Sequence, residues 1–216
     1  MLLTDITIKE FTELLASDAP TPGGGAAAAL AGALGVSLAG MVGALTAGNA
    51  KYSEHAEFTA ELLERAQSIR VEFLALIDED AETFKKMSAA YKLPKKTEAD
   101  KAARSEAVQS ALIACADPPL KMMALCGRAI ELTERAVGKT NRNVDSDLGV
   151  AALCLKAAMQ SAWLNVLINV ASIKDGDFVA EYREKGESII AEAAPIADGV
   201  YEKIMTNYLS QLLPQL

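Results

Sequence analysis

Between Asp18 and Lys51 the chain carries no charged residue, and small side chains recur there every fourth position, at Ala27, Ala31, Gly35, Ala39, Gly43 and Ala47. Leu30, Leu34, Leu38, Val42 and Leu45 form a neighbouring apolar row at helical spacing. A row of Ala and Gly lets another backbone approach closely. Each interior Gly costs a helix ~0.5–1 kcal/mol relative to Ala, so tertiary packing must offset it. The pattern predicts a central, buried helix entered through the loop Pro20-Thr21-Pro22-Gly23-Gly24-Gly25.

The remaining pattern is also helical. Thr7 with Glu10 makes a capping box for a short helix ending near Ser17. Ala56, Ala60, Leu63, Ala66, Ile69, Phe73, Leu76, Ile77 and Phe84 mark a long amphipathic helix from Ser53 to Tyr91, broken by Pro94. Thr97 with Asp100 restarts a helix that should end near Cys115, and Asp117-Pro118-Pro119 should start another reaching Val137. A polar loop, Gly138 to Asn143, precedes an apolar helix from about Leu148 to Ile173. A last amphipathic segment, Phe178 to about Leu212, should be interrupted near Pro195. With no repeat, no dividing linker and no alternating strand pattern of useful length, the expectation is one all-α domain over residues 1–216.

Composition narrows the function. The segment Ala26 to Gly48 is long enough to cross a bilayer. It is dominated by Ala and Gly, has no Trp/Tyr belt and is preceded by Asp18 rather than a basic cluster, which favours a soluble core helix. Acidic residues before it also argue against a signal peptide. A net charge of −8 argues against general nucleic-acid binding, so no nucleic-acid or membrane partner is expected. Cys115, Cys126 and Cys154 are scattered in apolar helical segments without CxxC or a His partner. Reduced cysteines of a cytoplasmic protein, with no metal site, are the expectation.

Candidate chemistry gathers in three places. The Gly-rich loop before a helix N-terminus suits an anion, although no G-x-G-x-x-G or P-loop pattern is present. Asp80 is three residues beyond Ile77 and four before Phe84, so it borders the apolar stripe, unlike most acidic residues of such a helix. Asn141 to Asp147 packs two Asn, an Arg, a Ser and two Asp before a buried helix; one of Asp145, Ser146 or Asp147 serves as N-cap. Asn165 and Asn169, one turn apart, need partners if buried. Lys156 is either a snorkelling lysine or a partly buried one, and His55 should be solvated.

Together, F-x-x-L-L-A-S-x-x-P-T-P-G-G-G (Phe11 to Gly25), A-G-A-L-G-x-x-L-A-G-M-V (Ala31 to Val42) and L-I-D-E-D-A-E-T-F (Leu76 to Phe84) carry a resemblance. A-A-Y-K-L-P-K (Ala89 to Lys95) and N-x-N-V-D-S-D-x-G-V-A (Asn141 to Ala151) complete it. The chain resembles the formiminotransferase-cyclodeaminase C-terminal family, which includes stand-alone cyclodeaminases and methenyltetrahydrofolate cyclohydrolases. One departure is Ala26, where the family pattern leads one to expect Ser.

The resemblance implies an all-helical homodimeric enzyme acting on a tetrahydrofolate derivative, with no tightly bound cofactor and no metal. In the deaminase direction, N10 of 5-formiminotetrahydrofolate attacks the formimino carbon and ammonia leaves. In the hydrolase direction, water opens 5,10-methenyltetrahydrofolate to 10-formyltetrahydrofolate. Both need proton transfer, for which Asp80, Asp145 and Asp147 are the candidates, with Asn143 or Ser146 orienting. Pro22, Gly23, Gly24 and Gly25 would offer backbone contacts, and Lys92, Lys95 and Arg142 would hold the folate carboxylates. Cyclodeaminase and cyclohydrolase are equally compatible with the residues. A folate-binding or interaction module without catalysis, or a membrane-associated helical protein, are the competing classes.

Overall fold

A computed structural model describes residues 2–212, and among them every regular element is helical. The chain builds α1 (Ile8–Leu15), α2 (Gly24–Ala44), α3 (Ala56–Tyr91), α4 (Glu98–Ala136), α5 (Asp145–Val170) and α6 (Gly176–Leu212). Short 3₁₀ turns at Leu3–Asp5, Ala50–His55 and Arg142–Val144 join them. Capping boxes at Thr7/Glu10 and Thr97/Asp100 start α1 and α4, as their spacing predicts.

Glycines set the register around α2. A Cβ on Gly32 would lie 2.5 Å from the Phe73 ring, and one on Gly43 would lie 3.2 Å from Leu62, so α3 runs antiparallel to α2. On the other flank Gly24 faces Asn165 and Gly35 faces Leu155, which makes α5 antiparallel to α2 as well. Ion pairs lay α4 back along α3, from Lys121–Glu79 through Arg128–Glu72 to Arg135–Glu61. Lys156 bonds Asp198 at 2.6 Å, which ties α6 to α5 and answers the question of its role. His55, at the start of α3, is partly covered and lies 3.7 Å from Glu54.

Two sequence expectations are corrected. Pro118 and Pro119 lie inside one continuous α4 instead of starting a new helix. Proline removes the donor to the carbonyl four residues back, and for Pro119 that carbonyl belongs to Cys115. Asn169 Nδ2 supplies the missing donor to Cys115 O at 2.8 Å, so α5 replaces what the helix lost. Likewise α6 continues through Pro195. Ala191, whose carbonyl loses its donor there, is on the exposed side, where water can satisfy it.

The Leu row of α2 also differs from a fully buried helix. Val42 is buried, but Leu34 is 53% exposed and Leu45 50% exposed. Packing on α3 and α5 uses two sides of α2 and leaves a third open. Steric fit elsewhere is tight. A Cβ on Gly186 would collide with the Trp163 ring, so Gly186→Ala is expected to cost about 1–3 kcal/mol in chemical denaturation. Gly127→Ala, whose Cβ would come no closer than 3.9 Å to Ile189, should be neutral or mildly stabilising.

Candidate active site

At the N-terminus of α2 the backbone itself provides the polar groups. Gly23 is the N-cap in an extended conformation, following the cis Thr21–Pro22 peptide, and no side chain caps the helix. Ala27 N–H closes the first turn on Gly23 O. Ala26 N–H donates to the Asp80 carboxylate of α3. The acid sits so close to α2 that a Cβ on Gly25 would overlap it. Gly25 is therefore required at that position, while Gly24 has space for a methyl group.

Burial pushes the Asp80 carboxyl up to about 6, against the opposing hydrogen bond from Ala26. Its neighbours on α3 are already occupied. Asp78 accepts from Leu3 N–H at 2.6 Å and from the Thr4 hydroxyl at 2.7 Å, strapping the N-terminal segment to α3. Glu79 pairs with Lys121 at 2.9 Å. Asp80 alone of the three faces the helix N-terminus.

The other walls come from α3, α4 and α5. Thr83 hydrogen-bonds the buried Cys115 thiol, whose ionisation is disfavoured by burial and then by the Asp80 charge. Asn169 holds the Cys115 carbonyl, and Asn165, anchored by Nδ2 to Ser161 O, lies against Gly24. Four helices thus converge on one carboxyl group. Asn165 and Asn169 were legible as asparagines needing partners on an apolar helix; Thr83 and Cys115 carried no signal in the sequence.

The remaining candidate residues separate into two ends of the bundle. Pro22, Gly23, Gly24 and Gly25 are at the Asp80 end. Lys92 and Lys95 lie in the exposed turn after α3, whose last residue, Tyr91, is eleven residues beyond Asp80 and so about 16 Å farther out along that helix. Arg142, Asn143, Asp145, Ser146 and Asp147 are at the opposite end, where Asn141 N–H bonds Thr46 Oγ1 just past α2. Twenty-one residues of α2 separate these ends by about 30 Å. Within one chain, Asp80 and the Asp145–Asp147 pair cannot share a proton-transfer site. Among the described residues, no group of three or more His, Cys, Asp and Glu is arranged to hold a metal ion.

The Formiminotransferase-cyclodeaminase family model matches residues 7–188. The chain belongs to this family. It is 41% identical to the methenyltetrahydrofolate cyclohydrolase of Methylorubrum extorquens, over 93% of this chain and 97% of that protein. It is 32% identical to the formimidoyltransferase-cyclodeaminase of Sus scrofa, covering 91% of this chain but only 36% of that longer protein. The crystal structure of formiminotetrahydrofolate cyclodeaminase from Thermotoga maritima superimposes with a TM-score of 0.80 at 28% identity, covering 93% of this chain and 98% of that one.

In a member of the formiminotransferase-cyclodeaminase family, the Asp80 corner has the groups that proton transfer requires. A carboxyl group near 6 is mostly ionised at neutral pH yet far more basic than an ordinary carboxylate, so it can take and return a proton. The N–H groups of Gly24 and Gly25 are among those an α-helix leaves without internal partners, and such donors suit a developing negative oxygen.

Proposed function

We propose that the chain hydrolyses 5,10-methenyltetrahydrofolate to 10-formyltetrahydrofolate. It is an enzyme of one-carbon folate metabolism, and the full-length 41% likeness to a methenyltetrahydrofolate cyclohydrolase favours that direction over the 28–32% likenesses to cyclodeaminases. The observation that carries the site is Asp80 against the uncapped α2 N-terminus. As a carboxylate, Asp80 accepts a proton from water while the oxygen adds to the methenyl carbon. The oxygen's growing charge meets the Gly24 and Gly25 N–H groups. The hydroxyl so formed gives its proton to solvent as the bond from that carbon to N5 breaks, Asp80 returns its own proton to N5, and the formyl group stays on N10. No tightly bound cofactor enters these steps.

We further read the chain as a soluble, cytoplasmic homodimer. Leu34, Met41 and Leu45 on α2 and Val150, Leu153, Leu164 and Ile168 on α5 are all exposed, Ile168 by 70%. They form one uncharged face along two adjacent helices. Among the described residues, these are the two helices long and apolar enough to cross a membrane, but each also buries a substantial side in the bundle. Twenty-six residues of α5, about 39 Å long, beside a second helix about 10 Å across, give a face of about 800 Å². That is the size of one partner's share of a stable protein interface. A second copy is its natural cover.

Two assays on purified protein test the activity: loss of methenyl absorbance, and ammonia release from 5-formiminotetrahydrofolate. Absorbance loss without ammonia release is the expected result. Ammonia release as the main activity would reassign the chain to cyclodeaminase, and binding without turnover would leave a folate-binding module. Recovery without detergent at twice the chain mass checks the dimer.

A further inference from the structure

Two asparagines of α5 line the Asp80 corner, and the fold uses them differently. Asn169 Nδ2 donates to the Cys115 carbonyl, which Pro119 leaves without its helical donor, so that bond fills a structural gap. Asn165 Nδ2 donates at 2.8 Å to Ser161 O, four residues back in the same unbroken helix. That carbonyl is already the helical acceptor for the Asn165 backbone N–H, so the side-chain bond repairs nothing. Asparagine is also among the weaker helix formers. What the bond achieves is orientation: with Nδ2 held on Ser161 O, the place of Oδ1 is fixed as well.

Asn165 Oδ1 accepts no hydrogen bond from the described residues. Among them, the one sealed side-chain atom without a partner is Asp145 Oδ1, so the Asn165 oxygen is open to solvent. It stands at the start of α2. A Cβ on Gly24 would lie 3.5 Å from it. A Cβ is about 2.5 Å from the nitrogen of its own residue, which puts Oδ1 no more than about 6 Å from the Gly24 nitrogen. That is the reach of one bridging water.

Across the same entrance, the Asp80 carboxylate accepts the Ala26 N–H, two residues farther along α2. Successive nitrogens of a helix are about 3 Å apart. A water on the Gly24 or Gly25 N–H therefore has a carboxylate on its α3 side and a carboxamide oxygen on its α5 side. The carboxylate can take a proton. The amide oxygen, far less basic, can only hold one in place.

We propose, on the cyclohydrolase reading above, that Asn165 positions the attacking water. One O–H of that water donates to Asp80 and the other to Asn165 Oδ1, while its oxygen accepts from the Gly24 or Gly25 N–H. The remaining lone pair is left for the methenyl carbon. As it forms the C–O bond, Asp80 takes the first proton. The second stays on the new hydroxyl, against Asn165, until solvent receives it as the electron pair of the C–N5 bond passes to N5.

Because this contact is with water and not with the folate, it should appear in kcat. Asn165→Leu, which nearly keeps the volume but removes the acceptor, is expected to lower kcat for methenyltetrahydrofolate by about ten- to a hundredfold, with KM within about twofold of wild type. Rates are compared on the high-pH plateau of each variant, where Asp80 is ionised. Asn165→Ala, a better helix former, should melt no lower than wild type yet show the same loss, which separates the role from folding. Asn165→Asp keeps an acceptor oxygen but loses the Ser161 bond, and should recover most of the lost kcat. Wild-type kcat in the Ala or Leu variant, a loss carried by KM instead, or an Asp variant as slow as Ala overturns the proposal. A wild-type chain that does not open methenyltetrahydrofolate overturns the cyclohydrolase reading and the water role with it. Wild-type hydrolysis beside an unimpaired Ala variant removes the role alone.

Discussion

Asp80→Asn is expected to lower turnover of methenyltetrahydrofolate by about 10²–10⁴-fold, the range for losing a positioned general acid-base group. The same change should make the protein more stable at neutral pH. The sign follows from linkage. Asp80 has a folded pKa raised from 3.8 to about 6, so the folded state holds its proton over a range where the unfolded chain has lost it. Stability from this group is therefore fully present at low pH and declines as pH rises from about 4 through about 6. Removing the ionisable group should recover about 1–3 kcal/mol above pH 6, after allowance for the part of the carboxyl that water reaches. Wild-type activity should fall with acidification through about pH 6, as the base becomes protonated. Urea denaturation at pH 5 and pH 8, beside a pH–rate profile, checks all of this. An Asn variant that keeps wild-type turnover would remove Asp80 from the mechanism.

Gly25→Ala should be nearly as damaging to activity and almost silent in stability. The new methyl group would occupy the space of the Asp80 carboxyl, which must swing away and lose the Ala26 N–H. A misplaced acid-base group typically costs about 10²-fold in kcat/KM. Stability should change little, because Ala in a helix is worth about 0.5–1 kcal/mol over Gly and offsets the displacement of one short side chain. Gly24→Ala is the control, since its methyl would meet only ordinary contact at 3.4 Å from Asn165. Steady-state kinetics and thermal melts on the pair separate a role for Gly25 in the site from a role in folding. Equal activity in both variants would refute it.

Much of the fold was legible because its signals are local. Capping boxes at Thr7 and Thr97 act within four residues, and the apolar spacing of α3 repeats along a single helix. The proline errors have the opposite origin. Pro119 reads as a helix start only while the Cys115 carbonyl is assumed to lack a donor, and the donor is Asn169, 54 positions away. A similar distinction separates the three acids of α3. Their spacing preferred Asp80, but Asp78 and Glu79 were eliminated by partners from the N-terminal segment and from α4.

The order of residues by itself determined that this chain is helical, where most of its helices begin and end, and which family it resembles. It also determined that a glycine-rich entrance would precede an apolar helix. Only the tertiary structure decided that Asp80 meets that entrance, that Gly25 must lack a side chain there, and that the Asn141 to Asp147 loop lies at the far end of the bundle. The reason is geometric. Periodicity reports which face of a helix is apolar, whereas the meeting of side chains depends on the register and direction in which helices pack.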